Sequence, residues 1–517
     1  MQARLFRLLL LALAVAAVAI PANAGPHAAR QITPAALADK IRGGWAGQMF
    51  GVAYGAPAEF RALGMTYDLP LRWEPGMVDD ALTQDDLYVE MTFAEVLDRV
   101  GLEATGADFG AAFARSQYNL WHANAAARRL LRLGIKPPLS GNPRYNLHAN
   151  DIDFQIESDF IGLMAPGLPR LANRIADRVG HVMNYGDGVY GGMFFAGMYA
   201  AAFFESDPRR VVEQGLASIP RDSGYARVIR DVLDWSTRNP GDWRATWQLL
   251  HDKWDRDDID ADGSLRPFNI DARLNGAFVV LGLLYGGGDF DRTIEIATRS
   301  GQDADCNPSS AAGILGVITG YDAIPDRWKS GIAPLAGRKF DYTSYSFDTI
   351  VASTLVRARK AIVAAGGRIS DDMITVPYQA PRAARLEQFS PGVAAAEYAV
   401  AAADWDWQGT WNASKDDRVA SNSGAGATLR FNGTGLLLAG PMSTEGGQAD
   451  VYIDGRKAGP LLDAYAPERT WDNALWGIFA LRDGPHELRF VLRGAGNPAS
   501  HGTRVSITRA IAFRPPG

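Results

Sequence analysis

The stretch Gly44-Trp45-Ala46-Gly47-Gln48-Met49-Phe50-Gly51-Val52-Ala53-Tyr54-Gly55-Ala56-Pro57-Ala58-Glu59 carries glycine at 44, 47, 51 and 55. Spacings of three and four residues share one face of an α-helix, so these glycines form a bare stripe on a helix from Ala38 to Tyr54. Each glycine disfavours an isolated helix by about 1 kcal/mol relative to alanine, so the stripe must be compensated by close approach of another helix or a ligand. Thr33 offers a hydroxyl to cap the helix start, and Pro34 sits where its missing N–H is harmless. Gly55-Ala56-Pro57 ends the helix and leaves Glu59 just beyond it.

Further helical patterns run from Thr83 to Val100, Asp108 to Leu133, Ile152 to Ile161, Val189 to Phe204, Ser223 to Ser236, Asn269 to Leu283, Phe290 to Arg299, Ser309 to Thr319 and Thr349 to Ala365. Residues 33–385 therefore read as one large all-α domain, with long loops as candidate functional segments. Past Pro377 the texture changes to short alternating runs, such as Leu436-Leu437-Leu438 and Ala449 to Ile453, separated by Asn432-Gly433, Asp454-Gly455 and Asp483-Gly484. Such runs predict an antiparallel β-sandwich over 390–517, making the chain multidomain.

Residues 1–24 read as a secretory signal peptide: a basic start, an apolar run from Leu8 to Ile20, and small residues at Ala22 and Ala24. The expected location is periplasmic or secreted, without stable membrane insertion after cleavage, because the apolar run is shorter than the roughly 20 residues a span needs. The net charge of -6 is spread along the chain and provides no field for a phosphate backbone, which argues against nucleic acid. Cys306 is the only cysteine, so an intrachain disulfide and a Cys-rich zinc site are both excluded, and the seven histidines show no HExxH spacing. A metal would be held mainly by oxygen, which suits magnesium, with calcium or manganese as alternatives.

Two acidic clusters are the candidate ligands. Gln84-Asp85-Asp86 stands at a helix start that Thr83 is expected to cap; capping uses one acid and leaves the other for chemistry. Asp303-Ala304-Asp305 precedes a helix that Asn307 and Pro308 are expected to open. Brought together, Asp85, Asp86, Asp303 and Asp305 would make an oxygen-rich site for one or two cations, a centre suited to hydrolysis.

Gly44-Trp45-Ala46-Gly47 through Glu59, Gln84-Asp85-Asp86-Leu87, and Gly301-Gln302-Asp303-Ala304-Asp305-Cys306 with Gly313 resemble the three ordered motifs of the ADP-ribosylglycohydrolase family. The resemblance implies a compact all-helical fold, a two-magnesium centre and cleavage at a ribose anomeric carbon. It equates Asp85 and Asp86 with the acids of the family's Thr-Asp-Asp-Thr element and Asp303 and Asp305 with those of its Asp-Thr-Asp-Thr element. Glu59 would contact metal, water or substrate. The departures are Gln84, Leu87, Ala304 and Cys306 at hydroxyl positions and Val52 at an acidic one. The acidic core is kept and the hydroxyl shell thinned.

Between the motifs, Trp121-His122-Ala123-Asn124, Asp151 to Asp159 and Asn184-Tyr185-Gly186-Asp187 concentrate polar groups. Glu157 and Asp187 are secondary acid–base candidates; Asn124, Asp153 and Tyr185 are substrate candidates. Trp254, with Trp235, Trp243 and Trp247, suits a saccharide subsite. The C-terminal segment resembles galactose-binding-like and jelly-roll modules, and Trp405, Trp407, Trp411, Trp471 and Trp476 could bind carbohydrate or pin the module to the helical domain. These features predict a glycoside hydrolase acting on a furanose-type (ribose- or arabinose-like) bond in a saccharide or glycoconjugate. The alternatives are an ADP-ribosylglycohydrolase and a non-catalytic glycan-binding protein.

Overall fold

The computed structural model describes residues 28–255, 259–389, 391–470 and 473–515; the expected signal peptide, residues 1–24, and Trp471 lie outside them. The first helix, Pro34–Gly55, is capped by Thr33, whose hydroxyl accepts the Ala36 N–H at 3.1 Å. It packs along Cys306–Thr319. Added Cβ atoms at Gly43, Gly47, Gly51 and Gly55 would run into the carbonyl oxygens of Gly316, Ala312, Pro308 and Ala304. The bare stripe thus lets two backbones touch, and its first member is Gly43. Gly44 instead faces Leu163 and Val317.

Two more helices, Asp187–Ala202 and Ala272–Gly286, are buried on nearly every side and form the middle of the domain. The Asp108–Leu133 pattern is two helices, Gly106–Arg115 and His122–Arg132. Arg128 and Arg132 hold the intervening carbonyls of Tyr118 and Ser116 at 2.6 and 2.7 Å, satisfying backbone that a continuous helix would have used. The Ile152–Ile161 pattern likewise splits into Asp153–Ile156 and Asp159–Leu163. Pro169–Gly180, Pro208–Leu216 and Trp243–Trp254 are further helices beyond the patterns identified in sequence. The helical domain also carries a small antiparallel sheet, in which Ile374–Val376 pairs with Arg30–Ile32 and Arg368–Ile369.

The C-terminal domain has a five-stranded and a four-stranded antiparallel sheet. Asp454-Gly455 is a two-residue hairpin turn with both φ positive, joining Gly447–Ile453 to Arg456–Asp463. Asn432-Gly433 instead carries the chain from one sheet to the other. Gly435–Gly440 is buried on both faces. Leu436 and Leu438 point into the sandwich core, while Leu437 and Ala439 pack with Ile511 and Phe513 against Leu147, Ile259 and Ala261 of the helical domain. Arg266 pairs with Glu397 at 2.8 Å across this seam. Among the described residues no helix is long and apolar enough to cross a membrane.

Candidate active site

The acidic motifs meet where the glycine seam ends. Asp303 and Asp305 lie in the turn that opens Cys306–Thr319, and Asp85 and Asp86 form the first turn of Asp85–Val100. Local capping differs from the sequence expectation. Thr83 closes a preceding 3-10 helix, giving its hydroxyl to the Asp80 carbonyl, and Gln84 is the cap residue without a capping hydrogen bond. Asp305, not Asn307, is the cap residue of the second helix; Asn307 sits inside its first turn and donates to Asn275 Oδ1. Asp305 makes no side-chain capping bond and Asp85 and Asp86 follow the cap residue, so their carboxyls remain available for the site.

Asp86 is 1% exposed, and neither of its oxygens has a hydrogen-bond partner by geometry. One oxygen each of Asp303 and Asp305 is buried without a partner. Asp303, Asp305 and the Cys306 sulfur offer ligand atoms within 4.8 Å of one another. Burial raises Asp86 and Asp305 well above the carboxylate range, reinforced by Asp305 and Asp85 for the first and Asp303 for the second. Asp303 is pushed up to about 7, chiefly by burial. Buried like charges with orphaned oxygens are unfavourable alone, and a divalent cation between them would relieve both penalties. The carboxylate oxygens fit a hard metal, while the Cys306 thiol beside them suits packing and not ligation of such an ion.

Glu59 stands at the open side, raised to about 8 by burial of its carboxyl and by the nearby charges of Asp305, Asp85 and Asp80. Gln84 gives its amide nitrogen to Asp80 at 2.7 Å on the same rim. Asp153 accepts the Ala123 and Asn124 N–H groups at 3.2 and 2.9 Å, and the Asn124 amide donates to Glu157. Glu157 lies near enough to Asp85 and Asp86 for their charges to raise it, after burial and Asp153. Asn124, Asp153 and Glu157 thus belong to this chamber.

Three candidates do not. Asp187 accepts the Tyr225 N–H at 2.9 Å at the start of Gly224–Arg238 and feels Arg273, so its place is a helix end. Tyr185 is half-buried beside His181 and the charge of Glu387. Trp254 donates to Asp231 at 2.8 Å under the Lys253 ammonium, and its helix neighbour Trp247 is buried with its N–H on the Ser300 carbonyl. These tryptophans are packing residues.

The aromatic walls come from elsewhere. Tyr88, Tyr118 and Tyr342 pack with centroids 4.8 to 5.6 Å apart, and the charges of Asp85 and Glu157 help raise the Tyr88 hydroxyl after burial. On another side Phe268 stacks on His122 and meets Phe60 at 5.2 Å. Phe60, His122, Gln302 and Tyr342 all have positive φ, a conformation that non-glycine residues avoid unless their surroundings impose it. Glu90, one turn after Asp86, and Asp159 complete the buried acids, accepting the Phe160 N–H and the Tyr199 hydroxyl. The i, i+4 spacing from Asp86 was the available sequence signal for Glu90. The departures from the family motifs have become packing: Val52, Leu87 and Ala304 are in apolar cores, and the Cys306 thiol faces Asp86 and Asp303.

The sequence profile of ADP-ribosylglycohydrolases matches residues 33–360, which covers both acidic motifs and the glycine seam. The chain belongs to the ADP-ribosylglycohydrolase family. Membership makes it a hydrolase of glycosidic-type bonds acting on a glycan-type substrate. Among solved structures, an ADP-ribosylglycohydrolase-related protein complex is 19% identical, with a TM-score of 0.43, covering 63% of this chain and 99% of that one. A family two carbohydrate esterase from Clostridium thermocellum, solved with cellohexaose, is 16% identical over 20% of this chain and 30% of that one, at a TM-score of 0.15. A two-domain esterase active on acetylated mannans is 14% identical over 33% and 47%, at 0.21. A comparison with curated proteins finds no match.

Proposed function

We propose that this ADP-ribosylglycohydrolase-family member is an exported glycoside hydrolase cleaving a furanose-type, ribose- or arabinose-like, O-glycosidic bond in an extracytoplasmic glycan or glycoconjugate. The observation that carries the reading is the convergence of buried Asp86, Asp303 and Asp305, with their orphaned oxygens, beside the carboxyl of Glu59. The apolar leader supports export.

Asp85, Asp86, Asp303 and Asp305 would hold a magnesium-class cation. Such an ion, when bound, supplies a site for vicinal sugar hydroxyls and a more acidic water. Tyr342, 64% exposed, offers a ring face to a sugar, backed by the buried Tyr88. Glu59, held above the ordinary carboxylate range chiefly by burial of its carboxyl, is placed to give a proton to the departing oxygen. Asp85 has Oδ1 held by the Asp86 N–H at 3.2 Å and keeps Oδ2 to take a proton from the attacking water. Glu157, fixed by Asn124, lines the inner wall.

The test is turnover of aryl furanosides and of ADP-ribosylated peptides by the purified chain, with and without EDTA. Furanoside cleavage lost on chelation is the expected result. Cleavage of the ADP-ribosylated peptides alone would replace the substrate with the family's own. Glycan binding without turnover of either, unchanged in Asp86→Ala, would make the chain a binding protein.

A further inference from the structure

Beside the acidic chamber lies a second cluster of different chemistry. His122 opens its helix, His148 and Asp151 share one turn, and Asp260 comes from the loop that packs on the sandwich. His122 Nδ1 is 3.0 Å from Asp260 Oδ2 and 3.8 Å from Asp151 Oδ2. His148 Nδ1 is 2.9 Å from Asp151 Oδ2 and 3.3 Å from Asp260 Oδ1. One ligand atom from each residue falls within 4.8 Å of all the others.

We propose that His122, His148, Asp151 and Asp260 form a second metal centre, a closed four-ligand site for a zinc-class ion that ties the chamber wall to the sandwich seam. Zinc–nitrogen and zinc–oxygen bonds of about 2.0–2.2 Å place tetrahedral ligands roughly 3.3 Å apart. The two Asp151 Oδ2 separations, 2.9 and 3.8 Å, lie on either side of that edge, and Asp260 reaches one imidazole with each of its oxygens, at 3.0 and 3.3 Å. Two imidazoles with two carboxylates suit zinc and its neighbours, whereas the all-carboxylate chamber suits magnesium. Four protein ligands leave no open position, which marks a structural centre.

The backbone that carries the cluster is pinned in place. Asn146 anchors the His148 turn by donating to the carbonyls of Ala123, Ser140 and Met183 and accepting the His148 N–H at 3.1 Å. Asn184 holds the Asp151 carbonyl at 2.8 Å. Asp151 is 1% exposed, and its Oδ1 has no hydrogen-bond partner. His122 holds a positive φ of 44° and presents its ring to Phe268 on one side and Asp260 on the other. On the far side of the cluster, Leu147, Ile259 and Ala261, chain neighbours of the ligands, carry the contact with Leu437, Ile511 and Phe513. An ion here would fix three separate segments, which explains why neighbouring residues can serve both the chamber and the seam. Sequence spacing hid this set because its two histidines and its two aspartates come from separate segments.

This inference does not depend on the hydrolase reading. The chain is assayed for zinc by elemental analysis as purified, and then, stripped by a chelator and dialysed, is titrated with cobalt(II). The expected result is about one zinc-class ion per chain and the intense visible absorption of a tetrahedral cobalt centre. His148→Ala and Asp260→Asn should abolish both, while Asp86→Asn should leave both in place. Cobalt bound only with the weak absorption of an octahedral site, or zinc uptake untouched by His148→Ala, would overturn the proposal. If the variants fail to fold, the wild-type chain alone decides: no tetrahedral spectrum means hydrogen-bonded pairs, not a metal centre.

Discussion

Two seams hold the molecule together, and they are built on opposite principles. Between Pro34–Gly55 and Cys306–Thr319 the contact is backbone against backbone, with glycine wherever a side chain would intrude. Between the helical domain and the sandwich it is aliphatic and aromatic side chains, Leu147, Ile259, Leu437, Ile511 and Phe513. A side-chain seam can relax around a lost group, but a backbone seam has nothing to move. The acidic site hangs from the rigid seam: Asp305 follows Ala304, whose carbonyl faces Gly55, and Glu59 leaves the same helix end.

The sharpest way to break this contrast is Gly51→Leu. Its side chain would have to enter the Pro308 carbonyl and Ser309 Cα, at the centre of the contact. Overpacking typically costs about 1–3 kcal/mol even where side chains can shift, and here they cannot. The expected outcome is loss of the helical circular-dichroism signal and of soluble protein; a soluble, cooperatively melting Gly51→Leu chain would refute the backbone seam. Phe513→Ala, in the other seam, should remain soluble and folded while losing at most about 3–5 kcal/mol. Calorimetry should show the sandwich melting earlier, with the helical transition little moved.

The glycine stripe was legible because period and residue type both pointed to it, although sequence could not distinguish Gly43 from Gly44 as its first member. The acidic motifs were legible for the same reason: charge in an apolar setting. What was not legible depends on distant partners. The break after Arg115 requires Arg128 and Arg132 to fold back on it. Asp187 reads as a catalytic acid until Tyr225 is seen to claim it. The tryptophans misled because ring density in sequence says nothing of facing, and the chamber instead recruits Tyr88, Tyr118 and Tyr342. The sandwich tryptophans behave likewise: Trp405, Trp407 and Trp411 pack on Phe490, and Trp476 donates to the Pro460 carbonyl.

A cation-free chain should weaken as pH rises. Asp159 and Glu59 are pushed up to about 8 and Asp303 to about 7 from ordinary values of 3.8 and 4.5, so the folded state holds protons that the unfolded state has released. Stability from these groups is complete below about pH 4 and is lost as pH climbs through 7 to 8. The melting temperature in EDTA should fall across that window by several degrees, and magnesium should flatten the slope. Asp86→Asn sharpens the same point: an amide need not take up a proton to be buried there, so the variant should be more stable than wild type in EDTA by an amount on the order of 1–2 kcal/mol, and should lose the gain from magnesium. A variant less stable than wild type in EDTA would mean that Asp86 is not repelled where it stands.

Glu59→Gln should perturb the fold least and the chemistry most selectively. Glu59 sits at the open end of the rigid seam, and with a pKa near 8 it is mostly uncharged at pH 6, so glutamine replaces a neutral group of almost the same shape. The melting temperature at pH 6 should therefore stay within a degree or so of wild type, because surface substitutions without lost contacts rarely exceed about 0.5 kcal/mol. Glutamine cannot deliver a proton, so turnover should fall by about 10²–10⁴-fold on substrates whose leaving oxygen needs one. A substrate with an acidic phenol leaving group needs no such donor, and its cleavage should fall far less. Equal losses on both substrates would assign Glu59 to the cation or the sugar hydroxyls instead of the leaving group.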